Sequence, residues 1–200
     1  MTASTDYYER VSRAFPDTES VTVLFVRGMS RTQVAADLRA DLALRVEDPW
    51  GNGESQTGWA IHEIPGGVLA IEQTGYGDPS LEALGALSKG GAAAVVRSNV
   101  QAHVRFGCAR DGAVLFDDNE YMYVEDPAAV PQELRSLFDL VWDDLEDDDL
   151  DDEGPDGFVV GLAMAGLVTG VEISGGDVEA AIESGFFAAP ALVYGETPRG

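Results

Sequence analysis

The segment SVTVLFVRG, Ser20 to Gly28, is apolar at odd and even positions alike. Successive side chains of a strand point to opposite faces, so a strand of this kind has to be covered on both sides. It predicts the middle of a covered sheet, and the rest of the chain has to supply the neighbouring strands and the cover.

Candidates for both are legible. TGWAIHEI and VLAIEQTG flank Pro65-Gly66-Gly67 and read as a hairpin. AAAVVRSN and QAHVRFGCAR read as two strands joined near Asn99, and Asp111-Gly112 turns the chain into AVLFDD. LALRV is a short strand entering a loop that holds Pro49, Gly51, Asn52 and Gly53. The periodicity predicts helices at Asp6 to Phe15, after the capping box Ser30/Gln33, and after the cap Ser80. It places the clearest helix at Pro131 to Leu145, with Pro131 at its first turn. Phe158 to Val168 is apolar all round and too short to span a bilayer, which predicts a buried helix, and GDVEAAIES predicts another. The sum is an α+β protein: a mostly antiparallel sheet of about five to seven strands covered by helices, with a C-terminal helical segment. We divide it into a sheet-and-helix core over 1–145, an acidic linker over 146–157, and C-terminal helices over 158–200 that pack on the same core.

The order VTVLFVRGMS (Val21 to Ser30), VLAIEQTGYGD (Val68 to Asp78), LEALGALSKGG (Leu81 to Gly91), VVRSNVQAHVRFGCARDGAVLFDD (Val95 to Asp118) and GLAMAGLVTGVEIS (Gly161 to Ser174) resembles a family of uncharacterised actinobacterial proteins. That family is a domain of unknown function with no assigned activity. The resemblance supports the fold expectation and implies no catalytic residue, cofactor or ligand.

Charge excludes more than it identifies. The chain has 36 acids against 12 bases, a formal net charge of −24. Between Ser136 and Pro198 sixteen acids occur with no Lys or Arg, and nine of the eleven residues from Asp143 to Glu153 are acidic. Such a field repels phosphate backbones and forfeits counterion release, so nucleic acid is not an expected partner. The start of the chain lacks the apolar stretch of a secretory signal, and the single cysteine, Cys108, permits no internal disulfide. A cytoplasmic protein without membrane contact is expected.

The acidic run fails as a calcium loop. With Gly154 at position 6, Pro155 falls at position 7 and Val160 stands where a bidentate Glu is required. His62, His103 and Cys108 are the only soft or imidazole ligands, and His103 and Cys108 point to opposite faces of one strand. Alternation turns Val104, Phe106 and Cys108 inward and puts His103 with Gln101 and Arg105 on the outer face. TGYGDPS, Thr74 to Ser80, joins a strand to a helix but has no P-loop lysine, and Asp78 opposes a phosphate. No nucleophile stands beside a base, so we expect no catalytic residue, no metal and no cofactor.

Surface recognition remains. Trp50, Trp59, Tyr76 and Tyr121 lie in or near loops, and Asp147, Asp148 and Asp149 form the centre of the acidic run. Together they suggest a non-enzymatic module that binds a basic protein, in an immunity-like or defence-associated role. The alternative is a small-molecule sensor or enzyme with a pocket between the sheet and the C-terminal helices, containing Glu63, Glu72, Arg97 or His103. Glu63 and Glu72 lie in the two arms of one hairpin and form its candidate acid–base pair.

Overall fold

The structure is a computed structural model, and it describes residues 4–48, 56–101, 103–142 and 155–191. Trp50 and Asp147, Asp148 and Asp149 lie outside the described residues. The chain runs through α1 (Thr5–Ser12), β1 (Val21–Arg27), α2 (Arg31–Asp37), β2 (Arg45–Val46), β3 (Gln56–Ile64), β4 (Gly67–Glu72) and α3 (Leu81–Leu87). It continues with β5 (Ala92–Ser98), β6 (Val104–Arg110), β7 (Ala113–Asp118), α4 (Arg135–Trp142), α5 (Gly157–Thr169), α6 (Gly175–Glu183) and β8 (Phe186–Pro190). Three short 3₁₀ turns, at Tyr121–Tyr123, Pro127–Ala129 and Gln132–Leu134, connect β7 to α4.

The strands form one open sheet in the order β2-β8-β3-β4-β1-β5-β6-β7, with every pairing antiparallel. An α+β architecture is therefore present, with eight strands rather than five to seven. The extra strand is β8. Phe186-Phe187-Ala188-Ala189-Pro190 is too short to show alternation, and it inserts between β3 and β2. Local chemistry fixes the turns. Asp111 and Gly112 both have positive φ (51° and 87°), the backbone a two-residue hairpin turn demands, and they join β6 to β7.

β1 is covered on both faces, as its composition requires. On one side α1, α4, α5 and α6 share a core with Val23, Phe25, Val96, Phe106 and Cys108. On the other, α2 and α3 cover Leu24, Val26, Ile61, Ala70 and Val95. α5 is buried along most of its length, and it approaches the sheet closely at Gly161, where a Cβ would come within 2.8 Å of Val96 Cγ1. Asp156 caps its first turn and Gly170, at φ 67°, ends it. Among the described residues no helix is long and apolar enough to cross a membrane.

The helix expected over Pro131 to Leu145 starts later. Pro131 precedes the 3₁₀ turn Gln132–Leu134, and α-helical geometry begins only at Arg135. The tighter turn still buries Leu134 beside Phe138 and Val141, so the apolar stripe is kept while the backbone changes.

Candidate functional site

The strands are largely apolar, and four of their buried or half-buried polar residues, with Trp59, fall in one line. Register pairs Trp59 with Glu72, Glu72 with Thr22, Thr22 with Arg97, and Arg97 with Arg105. Direct partners in an antiparallel ladder lie on the same face. These five residues therefore form a row across β3, β4, β1, β5 and β6, on the face that α2 and α3 cover. The loop from Thr74 to Ser80 runs over it.

Glu72 and Arg105 hold the loop from opposite sides of Thr22. Glu72 is fully buried and accepts from the hydroxyls of Thr57 and Thr74 and from the backbone N–H of Thr74 (2.8 Å) and Gly75 (2.9 Å). Four donors surround one carboxylate, which is how a buried charge is stabilised without a cation beside it. Arg105 is also fully buried. Its Nη1 donates to Asp78 and to the Pro79 carbonyl (2.7 Å), while Nε and Nη2 donate to Asp117 Oδ1 at 2.9 and 2.7 Å. One guanidinium thus ties the loop to β7. Between these anchors Arg97 Nη2 donates to the Gly75 carbonyl at 3.3 Å, and its Nε faces Asp78 Oδ2 at 3.6 Å. Burial pushes the Asp78 carboxyl above its ordinary range, against the pull of Arg105 and Arg97.

Packing over the row is tight at Gly77. A Cβ there would come within 2.6 Å of Glu72 Cγ and 2.9 Å of Trp59 Cζ2, so glycine is what lets the loop descend onto the ring. Four atoms in this region keep hydrogen-bonding capacity that the chain itself does not use: Thr22 Oγ1, Trp59 Nε1, Asp78 Oδ2 and Arg97 Nε. Three of their residues are consecutive members of the row or flank Glu72 in it, and Asp78 lies in the loop above. Elsewhere among the described residues, Gln73 Nε2 is the one other such atom.

The sequence-derived candidates separate cleanly. Glu72 and Arg97 belong to the row. Glu63 lies on the same face but pairs with Val68, four residues along β3 from Trp59, the partner of Glu72. That puts the two carboxylates roughly 13 Å apart along the strand at about 3.3 Å per residue, so they form no acid–base pair. Glu63 instead accepts from the N–H of Arg31 at 3.1 Å. His103 sits outside the row, half exposed, with Nδ1 3.3 Å from Glu120 Oε1. Trp59 and Tyr121 are fully buried, which removes both as partner-contacting rings. Trp59 is enclosed under the loop at Gly77, and Tyr121 packs near Phe106 and Phe138 while donating to the Gly157 carbonyl at 2.6 Å. Tyr76 remains on the surface, at the crest of the loop, and Tyr123 is more exposed still. Arg105, expected on an outer face, is buried because that face is covered too.

Alternation along β6 separates one face of this sheet from the other and says nothing about inside and outside. Asp78, Asp117, Thr57 and Thr74 complete the network and were missed for a related reason. They come from separate strands and a loop, with no fixed spacing. The one legible signal was a polar residue set in an apolar strand, at Thr22, Glu72 and Arg97.

A cleft of 390 Å³ opens at the same end of the β5–β6 hairpin as Arg97 and Arg105, between its turn and the start of α5. It is lined by Glu19, Asn99, Val104, Asp156 and Phe158 among others, and by none of Glu63, Glu72, Arg97 or His103. Among the described residues no three His, Cys, Asp or Glu side chains gather to hold a metal. Cys108 is buried, and burial with the nearby Glu133 charge pushes its thiol up to about 12, so it is a neutral core group rather than a nucleophile.

No curated protein and no solved structure matches this chain. Residues 52–182 match the model of a family of unknown function, DUF6461. That span takes in the row's β3 to β6 members, the loop above them and both anchors, and the chain belongs to this family of unknown function.

Proposed function

We propose that the protein is a non-enzymatic binding module that recognises a basic protein partner. An immunity-like or defence-associated role, in which an acidic protein occupies a basic toxin or nuclease, is the specific form of this reading. The observation that carries it is the separation of charge. Residues 20–110 hold nine acids and eight bases, whereas residues 111–200 hold twenty-three acids and two bases. The near-neutral part contains the buried row, whose Glu72 is held by hydroxyl and backbone donors and whose Arg97 and Arg105 hold the loop above it. The acidic part covers the opposite face and adds the acidic run. A field of one sign on one side of a molecule accelerates association with the opposite sign and rejects phosphate backbones. A cytoplasmic location is consistent with a lone buried thiol.

The test is capture on the immobilised full chain from lysate of the source organism, washed at low and high salt. One stoichiometric basic protein that survives high salt supports the reading. Recovery of many basic proteins that all wash away leaves only a nonspecific field and removes it.

A small-molecule sensor is the second reading, favoured by the four unused polar atoms around Thr22 and Arg97. A ligand seated there raises Tm in a thermal-shift screen of small carboxylates and amides, and Thr22→Val reduces that rise. A flat screen sinks this alternative.

A further inference from the structure

The sheet has two edges, and they differ. β2 at one edge is two residues long, too short to template another strand. β7 at the other is six residues long, and among the described residues its outer side has no neighbouring strand. Edge strands present unpaired N–H and C=O groups, and proteins normally blunt them with charge, proline or cover. β7 carries a bulge and ends in Asp117 and Asp118, yet over its first half it exposes Val114 and Leu115, at 38% and 40%. Ala109 pairs with Val114 and Cys108 with Phe116, so Leu115 is the extra residue of a bulge. It lines a shallow groove of 450 Å³ with Ala128 of one 3₁₀ turn, Val130 and Pro131 of the link to the next, and the Arg110–Glu133 ion pair (2.8 Å).

We propose that β7 is the docking edge for the basic partner inferred above, which adds an extended segment to the sheet and seats an apolar side chain beside Leu115. Strand addition takes its affinity from main-chain hydrogen bonds and its specificity from pockets for alternate side chains, and an edge with no neighbouring strand beside a small groove of mixed polarity, with Leu115 and Val130 on its apolar side, supplies both. Charge selects the occupant. From Asp111 to Leu134 there are seven acids and no Lys or Arg. Asp117 and Glu133 are already paired with Arg105 and Arg110, and the other five attract a basic segment. A second copy of this chain brings the same acids against themselves, which opposes self-pairing. The inference rests on the basic-partner reading and adds to it a place and a backbone geometry.

Two short peptides of equal charge test it on the full chain: one alternating valine with lysine, the other alternating glycine with lysine. The expected result is binding of the valine peptide about tenfold tighter, since each tenfold is about 1.4 kcal/mol and one seated apolar side chain contributes on that order. Amide hydrogen exchange across Ala113–Asp118 slows in that complex, and Leu115→Lys removes the preference while leaving the glycine peptide's binding in place. Leu115 is exposed, so the variant folds, and its circular dichroism checks this. Equal binding of both peptides without protection of β7 overturns the edge assignment and leaves the basic-partner reading standing. Absence of binding by either peptide at low salt overturns both. Protection of β7 in the protein alone, with a concentration-dependent dimer in sedimentation, makes a second copy the occupant and overturns the proposal.

Discussion

Beneath α5 the sheet meets its helices through Val23, Phe25, Val96, Phe106 and Leu162, an apolar core relieved only by a few hydroxyls such as that of Thr169, which donates to the Ala165 carbonyl at 2.6 Å. Beneath α2, α3 and the Thr74–Ser80 loop the same strands begin the same way, with Leu24, Ile61 and Val95, and then turn polar at Thr22, Glu72, Arg97 and Arg105. The first face is held by shape and by exclusion of water. The second is held at one end by directed bonds between buried charges, whose desolvation is offset only if every bond is made. Truncation on the α5 face leaves a cavity; truncation on the row leaves an unpaired charge.

That difference is open to measurement. Arg105→Met has the largest expected effect, because it leaves the buried Asp78 and Asp117 facing apolar atoms. A loss of about 3–5 kcal/mol in urea denaturation is expected, typical for one partner removed from a buried ion pair. Adding Asp78→Asn to it recovers part of the loss, whereas no recovery means that the guanidinium acts by packing alone. Leu162→Ala on the fully buried side of α5 follows, at about 2–5 kcal/mol from transfer and cavity terms. Combined with Arg105→Met it is additive to within about 0.5 kcal/mol if the faces are independent; a larger coupling shows that the sheet transmits strain between them.

Gly77→Ala drives a methyl group into Glu72 and Trp59 and costs about 1–3 kcal/mol in urea denaturation. A neutral result there shows that the loop lifts freely and that the row does not fasten it.

The smallest effect is a slope. Burial raises Tyr8 and Tyr121 above the ordinary phenol value and pushes Cys108 from 9.0 to about 12, and all three belong to the α5 face. A group that holds its proton more tightly when folded contributes stability that is complete below its unfolded value and is lost as pH rises through its folded value. For Cys108 the window runs from pH 9 toward 12. Each such group contributes at most about 1.4 kcal/mol per pH unit, and Cys108→Ala removes its own share. An unchanged alkaline slope in that variant assigns the lability to the phenols, Tyr7 among them.

The comparison also explains what the sequence could and could not reveal. Ser20 to Gly28 announced a doubly covered strand, and the Ser30/Gln33 capping box is present as expected, with Ser30 and Gln33 bonding each other's backbone N–H. Both are local, and local physics suffices for them. The β3–β4 and β5–β6–β7 hairpins were legible for the same reason. The row was not. Glu72 is legible only as a hairpin partner of Glu63 and Arg97 only as a pocket candidate, because their line-up through Thr22 depends on register between strands distant in the chain. Nor was β8 visible, since five residues bearing two phenylalanines and a proline look like a helix tail until β3 and β2 close around them.

That last strand sets an order on the protein's assembly. β8 bonds to β3 at Trp59↔Phe187 and to β2 at Arg45↔Phe187, so the outer sheet joins residues from opposite ends of the chain. During synthesis, the flank of β3 stays open until Phe186–Pro190 has left the ribosome. Contacts this distant in sequence close late and slowly, because the loop between them must be ordered before they form. Until then the nascent chain carries two adhesive borders, at β3 and at β7, where the finished protein keeps one. Its susceptibility to aggregation therefore peaks in the interval before the final strand arrives.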